Sequence, residues 1–333
     1  MPELPEVETV RRRLLTCLPG LLLREVVVND WTVSVQTEQE LGGYLAGRRV
    51  TGLRRRGKYL LVDFGRRVSG GGPDGPGATG GGLNDPAAVA TGGYSGPSVA
   101  VIHLRMTGQL VFRPKPGERP ARFEWRLEPA TTLFFQDVRR FGRLQAFAPA
   151  AEDEYFAVRQ MGPEPFGPDF TLAYLRGALR DRRAPLKAFL LDQRRIAGVG
   201  NIYADEALFR ARLHPLRAAG SVGPREAQRL HAAVIETLQA GIDHEGSSIE
   251  SFVDPAGLRG SFQEILSVYQ RTGEPCRVCG TTVERVVVGG RGTHYCPRCQ
   301  PRRGGMAPGS RRQRGETTPP RSAKPADWEA PGR

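Results

Sequence analysis

The chain has 333 residues, 39% of them hydrophobic, and a formal charge of +13 from 48 Lys and Arg against 35 Asp and Glu. It is long enough for two cores, yet it contains no apolar run of the roughly 20 residues a membrane helix needs and no signal-peptide pattern, so a cytosolic protein is expected. The last 33 residues carry 8 basic and 3 acidic side chains, so the first 300 keep +8 of the +13; on charge alone the folded part itself either meets a polyanion or carries a generally basic solvated surface.

Met1 precedes Pro2, Glu3, Pro5, Glu6 and Glu8, and Val7, Val10 and Leu14 recur at helical spacing, which predicts a helix over 3–15. From residue 22 to 150 the pattern becomes short strands separated by turn residues, at the spacing of a β-sandwich or barrel. Residues 66–98 are too rich in glycine and too poor in apolar side chains to pack, and read as a disordered insertion in a hairpin loop. After 166 the periodicity predicts helices over roughly 170–180, 184–192, 201–212, 224–245 and 248–256. Gly198 and Gly200 form a tight turn before Asn201, expected to cap the helix that follows. Beyond residue 300 the composition is that of disorder.

Four of the five cysteines form two pairs, Cys276/Cys279 and Cys296/Cys299, separated by a Val-rich strand, a Gly-Gly-Arg-Gly turn and a return strand. Two thiolate pairs on a hairpin fit one tetrahedral structural zinc with no position left open for catalysis. Cys17 is left over and reads as a small buried side chain. Arg291 stands at the hairpin tip, either as an exposed turn residue or as a phosphate contact. Only four of the basic residues are lysine: Lys58, Lys115, Lys187 and Lys324. Where arginine is the default, a lysine is expected where a compact or deprotonatable amine matters. Lys115 and Lys324 lie in Pro/Gly-rich sequence, which leaves Lys58 and Lys187.

Removal of Met1 exposes the secondary amine of Pro2. An α-amino group titrates at about 7.7–8.0, and a helix N-terminus lowers that further by favouring the neutral form. Such an amine, attacking a sugar C1′, ends as an iminium that stays cationic because no N–H remains. That iminium acidifies the adjacent carbon and permits elimination of phosphate. Glu3 is placed to protonate a departing group. The same residues also read as a plain helix start.

The segments MPELPEVETV, GKYLL, HLRMTGQL, DVRRFG, GPEP, GVGNIYADEALF and GEPCRVCG…RGTHYCPRCQ, in this order, resemble the bacterial formamidopyrimidine-DNA glycosylases over residues 1–300 apart from the glycine-rich insertion. The resemblance implies an α+β fold: an N-terminal helix with an antiparallel β-sandwich, a helical domain containing a helix–two-turns–helix motif, and a β-hairpin zinc finger. The domains would be 1–150, a linker at 151–165, 166–260 and 261–300, then the basic tail 301–333. It further implies excision of formamidopyrimidines and 8-oxoguanine from double-stranded DNA, then β,δ-elimination at the abasic site, by a monomeric, nucleoid-associated cytoplasmic enzyme with one structural Zn2+.

Residue by residue, Pro2 would be the Schiff-base nucleophile and Glu3 the general acid at the sugar oxygen. Lys58 would hold phosphate and assist β-elimination, and Arg291 would act in δ-elimination. Met106 would fill the gap left by the extruded base. Arg139 and Phe141 would face the orphaned cytosine and wedge the stack, offsetting part of the cost of unstacking, and Arg140 would contact DNA. Arg183, Lys187 and Asn201 would contact DNA, and Glu6 would lie near the active site. The family's Lys-His-x-His run is replaced by Arg119, Pro120, Ala121 and Arg122, leaving Arg122 to restore a phosphate contact. Residues 214–224 would run into the early part of the lesion-binding region. Two other readings stand beside this one. One is an endonuclease VIII-like enzyme for oxidised pyrimidines, disfavoured by Leu4 and the RRFG segment; the other is a non-catalytic binder of damaged DNA.

Overall fold

The computed structural model describes residues 1–68, 94–114, 121–249 and 251–302. Helix α1 spans Leu4–Leu15, with Pro5 in its first turn, where a missing N–H costs nothing. Val7, Val10 and Leu14 are at most 1% exposed and belong to the core of the sheet, whereas Leu4 belongs to the core of the helical half. Burying each is worth about 1.5–3 kcal/mol. One helix is thereby anchored in both cores, and its N-terminus lies at their junction.

The strands are β1 (Leu22–Val28), β2 (Arg48–Arg56), β3 (Tyr59–Arg67), β4 (Ser98–His103), β5 (Gly108–Val111), β6 (Phe123–Glu128), β7 (Thr131–Asp137) and β8 (Arg143–Phe147). They form one antiparallel sheet in the order β5-β7-β6-β1-β2-β3-β4-β8. The expected sandwich is met in packing: Leu110, Phe135 and Trp125 from one end of that order share a core with Ile102, Leu144 and Ala146 from the other.

The stretch read as all strand also holds helix α2 (Glu38–Leu45), capped by Thr37, whose side chain accepts from Glu40 N while Glu40 accepts from Thr37 N. The Thr-x-x-Glu capping box was present in the sequence. The boundaries drawn at 66–98 also shift. Arg67 ends β3, Ser98 opens β4, and Tyr94 packs on Tyr44; the rest of that insertion, 69–93, lies outside the described residues, as does the tail from 303 onward. A short helix α3 (Glu152–Ala157) sits where only a linker was expected.

Helices α4 (Leu172–Leu179), α5 (Leu186–Leu191), α6 (Asn201–Arg210) and α7 (Pro224–Asp243) follow the predicted pattern. No helix forms among the described residues of 248–256. Ser248 N is taken by Gln263, and Asp254 caps a turn by accepting from Ala256 N and Leu258 N around Pro255. A hairpin of β9 (Glu284–Val288) and β10 (Arg291–Tyr295) closes the described chain. Cys17, expected to be buried, is exposed just past α1. No helix among the described residues is long and apolar enough to cross a membrane.

Candidate active site

The N-terminus of α1 is seated on the turn before α6. Leu4 N donates to Gly198 O at 3.1 Å. A Cβ on Gly198 would lie 2.6 Å from the Leu4 side chain, and Gly198 adopts φ +88°; a Cβ on Gly200 would lie 2.2 Å from the Glu3 carboxyl carbon. Both glycines are required because the chain end approaches so closely. Asn201 is not the cap of α6: Gly200 holds that position and Asn201 is the first helical residue. Its Nδ2 donates to Tyr269 OH at 3.3 Å, while its Oδ1 is buried without a partner among the described residues.

Glu3 is 1% exposed. Its Oε1 accepts from Ile202 N at the start of α6, and its Oε2 has no hydrogen-bond partner among the described residues. Burial raises its pKa to about 7; Lys58 pulls it down, Glu6 adds to the rise, and the Ile202 amide lowers it. Glu6 serves two purposes. It accepts from Glu3 N at 2.8 Å, and its other oxygen accepts from Tyr203 OH and Ser247 N, each at 2.7 Å.

Lys58 occupies the second place in the two-residue turn between β2 and β3, after Gly57 at φ 57°. Glu164 fixes this turn, accepting from Gly57 N and from Arg55 Nη1. The GPEP segment therefore positions the lysine from outside the sheet. Lys58 is 6% exposed. Burial lowers its pKa, Glu3 and Glu6 pull it back up, and Arg291 and Arg105 push it down.

Pro2, Glu3, Lys58, Met106, Asn201 and Arg291 line a single cavity of about 480 Å³, in the size range of small-ligand sites. Residues from α1, from the β2–β3 turn, from the start of α6 and from the hairpin tip thus meet in one place. The sequence reading did not single out His103, whose Nδ1 accepts from Arg105 N, or Tyr269; both also line the cavity. His103 stood within the quoted HLRMTG segment, whereas nothing local marked Tyr269. The loop side of the cavity comes from Ser247, Ile249, Ser251 and Phe252, not from 214–224.

Other candidates lie elsewhere. Arg139 and Phe141 sit on an exposed turn with the guanidinium 5.1 Å from the ring centre, and Arg183 is exposed before α5. Arg140 pairs with Asp30 at 2.7 Å. Two expected DNA contacts are interior. Lys187 is fully buried, with its ammonium 2.8 Å from Asp205 and donating to Gly292 O at 2.9 Å. Arg122 is 3% exposed and pairs with Asp30 and Asp137. An enclosed cation with satisfied partners is not available to a phosphate, and both are corrected to internal ties.

Lys187 and Asp205 hold the zinc-finger hairpin, since Asp205 also accepts from His294 N. Glu206 accepts from the amides of Ser267, Val268 and Tyr269. The four cysteine sulfurs lie within 4.8 Å of one another, as required for a tetrahedron whose sulfurs stand about 3.8 Å apart at a zinc–sulfur distance of about 2.3 Å. These residues fit one structural zinc.

Comparison with known proteins adds three matched regions. Residues 1–144 match the formamidopyrimidine-DNA glycosylase N-terminal domain, 161–253 the H2TH domain of the same glycosylases, and 273–302 the zinc finger found in FPG and IleRS. The chain is 36% identical over 306 residues to the formamidopyrimidine-DNA glycosylase of Bacillus cereus, spanning 91% of this chain and all of that protein. It is 41% identical over 306 residues to the one from Heliobacterium modesticaldum, spanning 90% and 100%. The crystal structure of MutM (Fpg) from Thermus thermophilus aligns with a TM-score of 0.73 at 42% identity, over 90% of this chain and 98% of that one. Wild-type Lactococcus lactis Fpg in complex with DNA containing N7-benzyl-Fapy-dG aligns at 0.76 and 32% identity, over 90% and 100%.

Proposed function

The chain belongs to the formamidopyrimidine-DNA glycosylase family, and on that premise we propose that it excises oxidised purines from duplex DNA through Pro2 and then cleaves the strand at the abasic site. The protein is a base excision repair glycosylase with one structural zinc. We place it with its DNA in the bacterial cytoplasm, acting as a single chain. The proposed domains are the catalytic sheet domain 1–150, the helical domain 166–260 and the zinc finger 261–300.

The observation that carries the mechanism is the buried Glu3 carboxyl, its pKa near 7 and one oxygen unpartnered, in the cavity that also holds Pro2 and Lys58. Once Met1 is gone, the Pro2 nitrogen attacks C1′ and the base departs with the glycosidic electron pair. The nitrogen gives up its single proton, O4′ leaves C1′ with a proton from Glu3, and the nitrogen lone pair closes the iminium. Loss of the C2′ proton sends its electrons into that iminium and expels the 3′ phosphate. Loss of the C4′ proton then expels the 5′ phosphate. Lys58 and Arg291, which both line the cavity, would hold the departing phosphates. Asn201, at the N-terminus of α6, adds a phosphate contact where the helix dipole favours anions.

Borohydride trapping with abasic and 8-oxoguanine duplexes tests this directly. A covalent adduct is expected with the processed protein, and none with Pro2→Gly or with protein that retains Met1. An untrappable wild type sinks the lyase reading and favours a non-catalytic binder; faster release of thymine glycol than of 8-oxoguanine favours the endonuclease VIII-like alternative.

A further inference from the structure

The turn that carries Arg139 and Phe141 is set by one carboxylate. Asp137 Oδ1 accepts from Thr107 Oγ1 at 2.5 Å and from Arg139 N at 3.3 Å; its Oδ2 accepts from Gly142 N at 2.6 Å and from Arg122 Nη1 at 3.3 Å. Arg139 N also donates to Thr107 Oγ1 at 3.1 Å. Thr107 is the neighbour of Met106, which lines the cavity. The gap-filling methionine and the wedge turn are therefore fastened to each other through Asp137.

Arg122 stands beneath this joint. Its Nε pairs with Asp30 Oδ2 at 3.0 Å, its Nη2 donates to Thr32 Oγ1 at 2.7 Å, and its Nη1 reaches both Asp137 and Gly142 O. The same Asp30 oxygen takes Arg140 Nε at 2.7 Å. That engagement holds the Arg140 side chain on Asp30 at a residue whose φ is 60°. One planar guanidinium thus serves partners on three sides, a task an ammonium cannot reproduce.

We propose that Arg122 is a positioning residue that sets the relative placement of Met106, Arg139 and Phe141, and through it the preference for the base opposite the lesion. This rests on the reading of Arg139 and Phe141 as the residues that face the orphaned strand. A group that fills a vacated base site and reads its partner must be placed before the base leaves, and a shift of about 1 Å in such a group costs on the order of a hundredfold in rate. The chemistry at Pro2 needs no such placement when the substrate has no opposite strand.

The test uses the full-length, Met1-processed protein with Arg122→Lys and Asp30→Asn. Three rates are measured: kcat/KM for 8-oxoguanine opposite cytosine, the same opposite adenine, and β-elimination at a preformed abasic site in single-stranded DNA. The cytosine-over-adenine preference is expected to fall by about tenfold in Arg122→Lys and by a smaller factor in Asp30→Asn, with single-strand elimination within about twofold of wild type. An unchanged preference, or an equal fall in all three rates, overturns the proposal. If Arg122→Lys does not fold, Asp30→Asn decides alone, since it leaves Arg122 paired with Asp137. A wild type that forms no trapped adduct overturns the lyase reading and this one together; a trapped wild type with unaltered variants overturns only this one.

Discussion

Glu3 carries opposite consequences for stability and for chemistry. Its pKa rises from 4.5 to about 7 because burial disfavours the carboxylate. The folded state therefore binds the proton more tightly than the unfolded one, and the resulting stabilisation is complete below about pH 4.5 and lost as pH rises through 7. Replacing Glu3 with Gln removes the charge but keeps an acceptor for Ile202 N. Glu3→Gln is expected to melt no higher than wild type at pH 4.5 and higher at pH 8, where it is the more stable by on the order of 3 kcal/mol. It is also expected to lose base excision. Thermal unfolding at the two pH values checks the first half; a wild-type advantage at pH 8 would contradict it. In wild type, kcat/KM for excision should decline on the alkaline side of about pH 7 as the general acid deprotonates.

At the scale of elements, the seat of α1 on the 198–200 turn is the feature most sensitive to a single carbon. Gly200 has φ −130°, which any residue adopts, so the constraint is the Glu3 carboxyl group lying where a Cβ would go. Gly200→Ala is expected to lose about 1–3 kcal/mol of stability through overpacking and on the order of a hundredfold in kcat through displacement of Glu3, with duplex affinity much less affected. Gly42, inside α2, is the contrasting case, because a Cβ added there would meet no atom within 4 Å. Gly42→Ala should gain about 0.5–1 kcal/mol from helix propensity. Chemical denaturation together with single-turnover kinetics separates the two, and equal behaviour of both alanines would refute the close-packing account.

For the whole molecule, the cavity exists only while sheet, helices and hairpin are held together. Zinc organises the hairpin ends, Lys187 and Asp205 bond its return strand, and Arg291 at the tip thereby reaches the cavity wall. Chelation is expected to weaken duplex binding by at least about tenfold, since metal binding energy is folding energy in such modules. Far-UV circular dichroism of the sheet should survive. With Lys58, Arg183 and Arg291 as phosphate contacts, log K against log salt should fall with a slope of roughly −2 to −3, about 0.9 for each phosphate neutralised. A nearly flat salt response would remove those residues from the interface.

The sequence by itself determined the parts whose signal is local. The cysteine spacing specified the metal site, the Val7/Val10/Leu14 stripe specified the buried face of α1, and the motifs singled out Pro2, Glu3, Lys58 and Asn201, which line one cavity in the fold. It misread the parts whose state depends on distant partners. Lys187 and Arg122 looked like DNA contacts because a basic residue carries no mark of its exposure, and only Asp205, Asp30 and Asp137, brought close by the fold, show that both are interior. Residues 248–256 had helical spacing, but Pro255 and the side chains of Gln263 and Asp254 take the backbone elsewhere. The elevated pKa of Glu3 was likewise decided by tertiary structure, because desolvation requires the 198–202 turn to close over a residue some two hundred positions away in the chain.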